Sequence, residues 1–142
     1  MNHPTNNTCV FCKIVAGQIP CFKLFEDDAT IAFMDINPAN PGHALAVAKG
    51  HYATVDAIPP DMLGAVAQTA QRVARAVTKA MNPFGLNLLQ ANGEGAAQSV
   101  PHLHIHVMPR QRNDNLLLNW QAVPGDRAAI EAVYNRIKAA MS

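Results

Sequence analysis

The residues best suited to chemistry are three histidines that alternate along one short segment, Pro101-His102-Leu103-His104-Ile105-His106-Val107-Met108. Successive side chains of a β-strand point to opposite faces, so the three imidazoles are expected to share one face. Leu103, Ile105 and Val107 would then face the core. Packing alone explains such a row of imidazoles poorly, and the spacing therefore predicts a functional site.

Imidazole titrates near neutrality, so one ring can remain a neutral nucleophile while a neighbouring ring carries a proton. A phosphoryl centre needs an attacking atom and donors for its equatorial oxygens, and adjacent histidines can supply both. The preceding loop, residues 92–99, is small and contains glycine, which is typical of backbone that approaches phosphate. The alternative is metal binding, because His-x-His on a strand can also chelate zinc, iron or copper.

A second cluster of interest is the Cys-x-x-Cys formed by Cys9 and Cys12. The N-terminus lacks a basic start followed by an apolar stretch, so the sequence predicts no signal peptide and a cytoplasmic setting. In that setting a Cys-x-x-Cys indicates metal or redox use before a structural disulfide. Two packed thiols beside Phe11 are the alternative.

Composition limits the classes of function that need to be considered. With 142 residues, 49% of them hydrophobic, and a net charge of +1, the chain is expected to form one folded domain. The near-zero net charge provides no excess of positive charge that would attract a nucleic-acid duplex or an acidic membrane. No apolar run approaches the roughly 20 residues of a membrane span. We expect residues 1–8 to be a flexible tail and residues 9–142 a single domain.

The chemistry-bearing residues must be positioned by elements that can be predicted from periodicity. A helix is predicted over Asp61–Met81, where apolar residues recur every three or four positions, and a second follows the N-cap Asp126. Five strands are predicted, namely Cys21–Glu26, Thr30–Asp35, His43–Ala48, Gly85–Gln90 and His102–Met108. This order of elements predicts an α+β domain with a mainly antiparallel five-stranded sheet, one long helix and one C-terminal helix.

The segment from Gln98 to Met108 resembles the signature of the histidine triad (HIT) superfamily, three histidines alternating with apolar residues after Gln-Ser/Thr-Val. Further segments occur in the order typical of the Hint-like branch, namely Phe11-Cys12-Lys13-Ile14-Val15, Ile19-Pro20, Phe25-Glu26-Asp27-Asp28, Ala32-Phe33-Met34-Asp35-Ile36 and Pro41-Gly42-His43. The resemblance covers roughly residues 9 to 110 and implies the HIT-like fold. One departure is Ala97, which stands where this branch often has glycine.

The resemblance implies catalytic roles for several residues. His104, the central histidine, would attack the α-phosphate of a nucleotide conjugate and become nucleotidylated. His106 and the backbone around Gln98 and Ser99 would hold phosphate oxygens, and His43 would support the catalytic ring.

The resemblance also implies a nucleotide pocket. Its members would be Phe11, Ile14 and Phe33 at the base, Asp35 and Ile36 at the ribose, and Asn92 near the phosphate. A simple core position is an equal alternative for Phe33 and Ile36. The expected substrates are purine nucleoside phosphoramidates, then dinucleoside polyphosphates, with release of a nucleoside monophosphate. A nucleotide-binding regulator or scaffold with little turnover is the alternative function.

The resemblance also implies a zinc site, because some HIT proteins add a distal histidine and the first histidine of the triad to a Cys-x-x-Cys. The corresponding ligands here would be Cys9, Cys12, His51 and His102. Such a site would be structural, because four protein ligands leave no open position for water. The catalytic role of His102 would then be indirect, and no metal would be needed to make the nucleophile. The family also implies a two-fold symmetric homodimer.

Overall fold

The computed structural model describes residues 2–141, so Met1 and Ser142 of the predicted tail and domain lie outside the described residues. Within that range the elements follow in the order α1 (Val10–Val15), β1 (Lys23–Glu26), β2 (Thr30–Met34), β3 (Ala44–Ala48), α2 (Pro60–Met81), β4 (Gly85–Leu89), β5 (His104–Arg110) and α3 (Arg127–Ala140). A short 3₁₀ turn, Glu94–Ala96, precedes β5.

The five strands form one sheet in the order β1-β2-β3-β5-β4, and every neighbouring pair is antiparallel. The predicted α+β class and antiparallel sheet are confirmed. The last strand begins at His104, two residues later than predicted. The reason is a turn, in which the His102 N–H donates to Val100 O and the Leu103 N–H donates to Tyr52 O.

Helix α2 covers one face of the sheet. Its buried stripe, Val66, Ala70, Val73 and Val77, packs against the small side chains of β2 and β3 and against Val107 of β5. Pro60 begins the helix, where its missing N–H costs nothing, and Asn82 ends it with a left-handed backbone conformation. Within residues 2–141 no helix combines the length and apolar character needed to cross a membrane.

The opposite face of the sheet carries the histidines. The register pairs His104 with Val47 and His106 with Leu45, and both of these β3 residues belong to a second apolar cluster that includes Phe11 of α1. Alternation then places Ile105 and Val107 on the α2 side, as the sequence predicts. Helix α1 was not predicted, because six residues are too few to show a helical period.

The two ends of the chain differ in how they contact this domain. Pro4 O accepts a 2.7 Å hydrogen bond from the His51 N–H, and the Asn6 N–H donates to Cys12 Sγ at 3.4 Å. The flexibility of the N-terminal tail stays a prediction. Helix α3 begins at the predicted cap, where the Asp126 carboxylate accepts from the Ala129 N–H, and all of its residues are exposed.

Candidate active site

A cavity of about 230 Å³ lies on the sheet face opposite α2 and is bounded by α1, by the end of β2 and by β5. Eight residues predicted for the site share its lining, namely Phe11, Ile14, Phe33, Asp35, Ile36, Ser99, His104 and His106. Phe11 and Ile14 of α1 give this lining apolar surface, and Asp35, Ser99, His104 and His106 give it polar atoms. Such a lining suits a ligand that has both an apolar ring and an anionic group.

The ring of His104 is held in one tautomer. Its Nδ1 lies 2.7 Å from the backbone O of His102, and because a carbonyl oxygen can only accept, Nδ1 carries the proton. The lone pair is therefore on Nε2. Burial lowers the pKa of His104, so the ring is neutral at physiological pH. The rings of Phe11 and His104 pack nearly perpendicular to each other, with 5.1 Å between their centroids. His104 thus presents a neutral ring whose Nε2 lone pair is available.

His43 and His106 form a second, linked pair. The Ala39 N–H donates to His43 Nδ1 at 3.1 Å, so His43 in its neutral form carries its proton on Nε2. That proton is donated to His106 Nδ1 at 2.9 Å. The neutral His106 ring must then hold its own proton on Nε2, as a donor. Burial lowers the pKa of both rings, that of His106 to about 4.

Asp35 lines the cavity directly after β2. Its Oδ1 accepts from the Asn37 N–H at 2.8 Å, and its Oδ2 lies 3.5 Å from His43 Nε2. Ile36 is 76% exposed, so the core alternative does not describe it, whereas Phe33 is 3% exposed and belongs both to the core and to the cavity wall.

Asn92 and Gln98 are not among the residues that line the cavity. Asn92 Oδ1 accepts from the Val55 N–H, and the Gln98 side chain joins Gly93 N to Ala53 O across the loop. Both side chains therefore shape the loop before β5, and their contact with phosphate stays a prediction. Ala97, at the family's frequent glycine position, has φ 60°. That left-handed conformation explains why glycine suits the position.

The four predicted zinc ligands converge behind the histidine strand. Cys9 Sγ and Cys12 Sγ lie 3.3 and 3.6 Å from His102 Nδ1, and His51 Nδ1 lies 3.4 Å from Cys12 Sγ and 3.3 Å from His102 Nδ1. In a tetrahedral zinc site the edges are about 3.3 Å between nitrogens and about 3.6 Å between nitrogen and sulfur. The spacing fits zinc, and all three cysteines are free.

The orientation of His102 supports the same conclusion. Its Nε2 lies 2.6 Å from Ala48 O and must carry the proton, which leaves the Nδ1 lone pair directed at the two sulfurs and at His51 Nδ1. A ligating histidine commonly donates its other nitrogen to a backbone carbonyl in this way. The three histidines of the strand therefore do not form one metal site, since His102 faces the cysteines while His104 and His106 face the cavity.

Comparison with known proteins agrees with this geometry. The family model described as the HIT domain matches residues 16–113, which include all five strands in full and the complete histidine segment. The chain belongs to the HIT family.

Two relatives show how far the similarity of this HIT chain extends. It is 42% identical over 110 residues to an adenylylsulfatase of Arabidopsis thaliana, covering 78% of this chain but only 56% of that relative. It is 37% identical over 131 residues to an adenosine 5′-monophosphoramidase of Schizosaccharomyces pombe, covering 92% of this chain and 96% of the relative. The second match spans nearly the whole of both chains.

Solved structures match the HIT fold at similar identity. A Streptococcus mutans protein superposes with a TM-score of 0.92 at 33% identity, covering 97% of this chain and 88% of the other. A zinc-bound histidine triad protein from Mycobacterium smegmatis gives 0.72 at 31% identity, covering 94% and 97%.

Sequence analysis missed several residues that complete the HIT cavity. Val10, Cys21 and Asn37 line it beside the predicted residues. Val10 would have been found had α1 been recognised, because it precedes Phe11 on the same short helix. Cys21 carries no signal by itself, since its place depends on how the segment between α1 and β1 folds back onto β2.

Proposed function

We propose that the protein is a nucleotide hydrolase or transferase that acts at the α-phosphate of purine nucleoside phosphoramidates, and secondarily of dinucleoside polyphosphates. The observation that carries this proposal is the 2.7 Å hydrogen bond from His104 Nδ1 to His102 O, which leaves a neutral Nε2 in the cavity. The phosphoramidase relative supports the choice of substrate.

In the first step the lone pair of His104 Nε2 forms a bond to the α-phosphorus as the bond to the leaving group breaks. The leaving group takes up a proton from solvent as it departs, and the water that attacks in the second step returns one. The ring gains positive charge, and the His102 carbonyl stabilises it through Nδ1–H. His106 Nε2–H donates to a phosphate oxygen, and its pairing with His43 keeps that donor in place. Water then attacks the phosphorus, releases the nucleoside monophosphate and restores His104.

Asp35 suits the ribose hydroxyls, because it follows β2 in the cavity lining and its Oδ1 has a single backbone donor. Phe11, Ile14 and Phe33 would hold the base between α1 and the sheet.

Intact-mass spectrometry after rapid mixing with an adenosine phosphoramidate tests the mechanism. We expect an adenylyl adduct on the wild type and none on His104→Ala, whose turnover falls by about 10⁴-fold or more. Activity of His104→Ala within tenfold of the wild type would refute the assignment. If the wild type forms neither adduct nor adenosine monophosphate, the alternative of a nucleotide-binding regulator or scaffold replaces the enzyme.

We further propose that Cys9, Cys12, His51 and His102 hold a structural zinc ion. The tetrahedral spacing of their donor atoms and the zinc-bound relative support this assignment. Zinc would tie α1 to the segment before β5, and the nucleophile itself would use no metal.

A homodimer is the proposed assembly. The edge strand β4 leaves one side of its backbone unpaired, and α3 exposes an apolar stripe of Ile130, Val133, Tyr134, Ile137 and Met141. A second copy is the partner that the family's symmetric assembly implies. The predicted cytoplasmic location stays a prediction.

A further inference from the structure

A carboxylate outside the cavity, that of Asp114, accepts an unusually large number of hydrogen bonds. The Asp114 side chain is 6% exposed and accepts five hydrogen bonds. Two come from the guanidinium of Arg110, two from the N–H groups of Gln111 and Leu116, and one from the side chain of Asn40. These contacts hold the chain after β5 in a tight loop.

The bond to Asn40 joins this loop to a different part of the molecule. Asn40 is 7% exposed and uses both of its side-chain N–H groups, one on Asp114 Oδ2 and one on Pro109 O, each at 2.9 Å. Its backbone O accepts from the His43 N–H at 3.1 Å. Asn40 therefore holds the segment before β3 in place through both its side chain and its main chain.

That segment determines the tautomer of His43. The residue before Asn40 is Ala39, whose N–H donates to His43 Nδ1. With Nδ1 occupied as an acceptor, the His43 proton stays on Nε2 and is donated to His106 Nδ1, so His106 presents Nε2–H as a donor. If Asn40 lost its anchor, the Ala39 N–H could move away from His43.

We propose that Asp114 is a positioning residue for the reaction: through Asn40 and the Ala39 N–H it fixes the ring of His43, and thereby the proton that His106 donates. Asp114 itself does not line the cavity and touches no catalytic histidine. The part of this inference that concerns catalysis rests on the proposed function.

Asp114→Asn tests the proposal, because an amide retains the size of the carboxylate but cannot accept from every donor around it. Asn40→Ala is the second variant, and it leaves the Arg110–Asp114 ion pair intact. Thr69→Val is the matched control, since it removes a buried hydrogen bond to Thr30 on the α2 side, away from the cavity.

Two measurements are made on each variant. The first is NMR of protein labelled with ¹⁵N-histidine, which reports the tautomers of His43 and His106 without any substrate. We expect Asp114→Asn and Asn40→Ala to lose the single Nε2–H tautomer of His43, and Thr69→Val to retain it. The second is turnover of an adenosine phosphoramidate, where we expect kcat to fall by about tenfold with little change in KM, since a misplaced donor acts mainly in the transition state.

Wild-type tautomers in both Asp114→Asn and Asn40→Ala would overturn the proposal, whatever their activity. Altered tautomers with an unchanged kcat would overturn the catalytic role. A fall in kcat of the same size in Thr69→Val would show that the effect is only structural. If the wild type has no turnover, the proposed function fails, and the NMR result alone then decides the positioning role.

Discussion

Three backbone groups determine which nitrogen carries the proton in each of the central imidazoles. The carbonyls of His102 and Ala48 accept from His104 Nδ1 and His102 Nε2, and the Ala39 N–H donates to His43 Nδ1. Backbone groups cannot change their protonation at physiological pH, so they fix the tautomers more rigidly than side chains would. The result is one free lone pair on His104 and one directed at the cysteines from His102.

The burial that prepares these rings also makes the stability of the protein depend on pH. Burial, then the neighbouring His104 and His43, lowers the pKa of His106 to about 4, with Asp35 acting in the opposite direction. The unfolded chain, in which the ring has its ordinary pKa of about 6.5, therefore binds more protons between pH 6.5 and 4. The contribution of His106 to the free energy of unfolding is therefore fully present above pH 6.5, and it is lost as the pH falls from 6.5 to 4.

We expect His106→Asn to have a free energy of unfolding that depends less on pH than that of the wild type. The difference between pH 7 and pH 4 is expected to shrink by about 2–3 kcal/mol. Urea unfolding at several pH values measures it. Both proteins contain the same other histidines and the same cysteine cluster, so the comparison reports this ring together with its hydrogen-bonded partner His43. Parallel curves for the two proteins would contradict the expected role of His106.

At the scale of elements, α1 links the cysteine cluster to the nucleotide cavity. Its six residues are too few to form a stable helix alone. Cys9 caps its first turn, Cys12 lies within it, and Phe11 between them packs against the ring of His104. A zinc ion held by the two cysteines would therefore also hold the apolar wall of the cavity.

Cys12→Ser should remove the zinc, because three ligands with one weak hydroxyl bind it far less tightly than four. We expect zinc to fall from about one equivalent to less than a tenth, together with a lower Tm. Metal analysis by mass spectrometry and thermal unfolding measure the two effects. Cys21→Ser, which changes a cysteine outside the cluster, should retain its zinc. Wild-type protein purified without zinc, or zinc retained by Cys12→Ser, would disprove the site.

At the scale of the whole molecule, α3 is the helix whose residues are all exposed. Ile130 and Ile137 are 59% and 58% exposed on the same face, and an isolated helix of 14 residues is marginal in water. A surface of this kind needs a partner to be stable. The proposed homodimer would supply one from a second copy of the chain.

Ile137→Glu should weaken that dimer, because it places a charge in the centre of the apolar stripe. Ala132→Glu is the matched control, since it adds the same charge on the opposite face of α3. In sedimentation at micromolar concentration we expect dimers for the wild type and Ala132→Glu, and mostly monomers for Ile137→Glu. A monomeric wild type would contradict the dimer, and a dimeric Ile137→Glu would show that α3 is not its interface.

The sequence by itself determined the five strands, the two longer helices and the family. The apolar period of α2 and the Asp126 cap of α3 are local patterns, and so is the alternation that puts His104 and His106 on one face. The resemblance carried by residues 98–108 identified the fold, because it depends on residue types in order and needs no coordinates.

Only the tertiary structure decided which groups meet. His51 and Cys12 are 39 residues apart in sequence, and Asp114 and Asn40 are 74 apart. No local pattern predicts that the Ala39 N–H reaches His43, that Gln98 faces its own loop, or that His102 turns away from His104 and His106. These outcomes depend on sheet order and on the turn before β5, which are set by packing between distant segments and not by the spacing of residues along the chain.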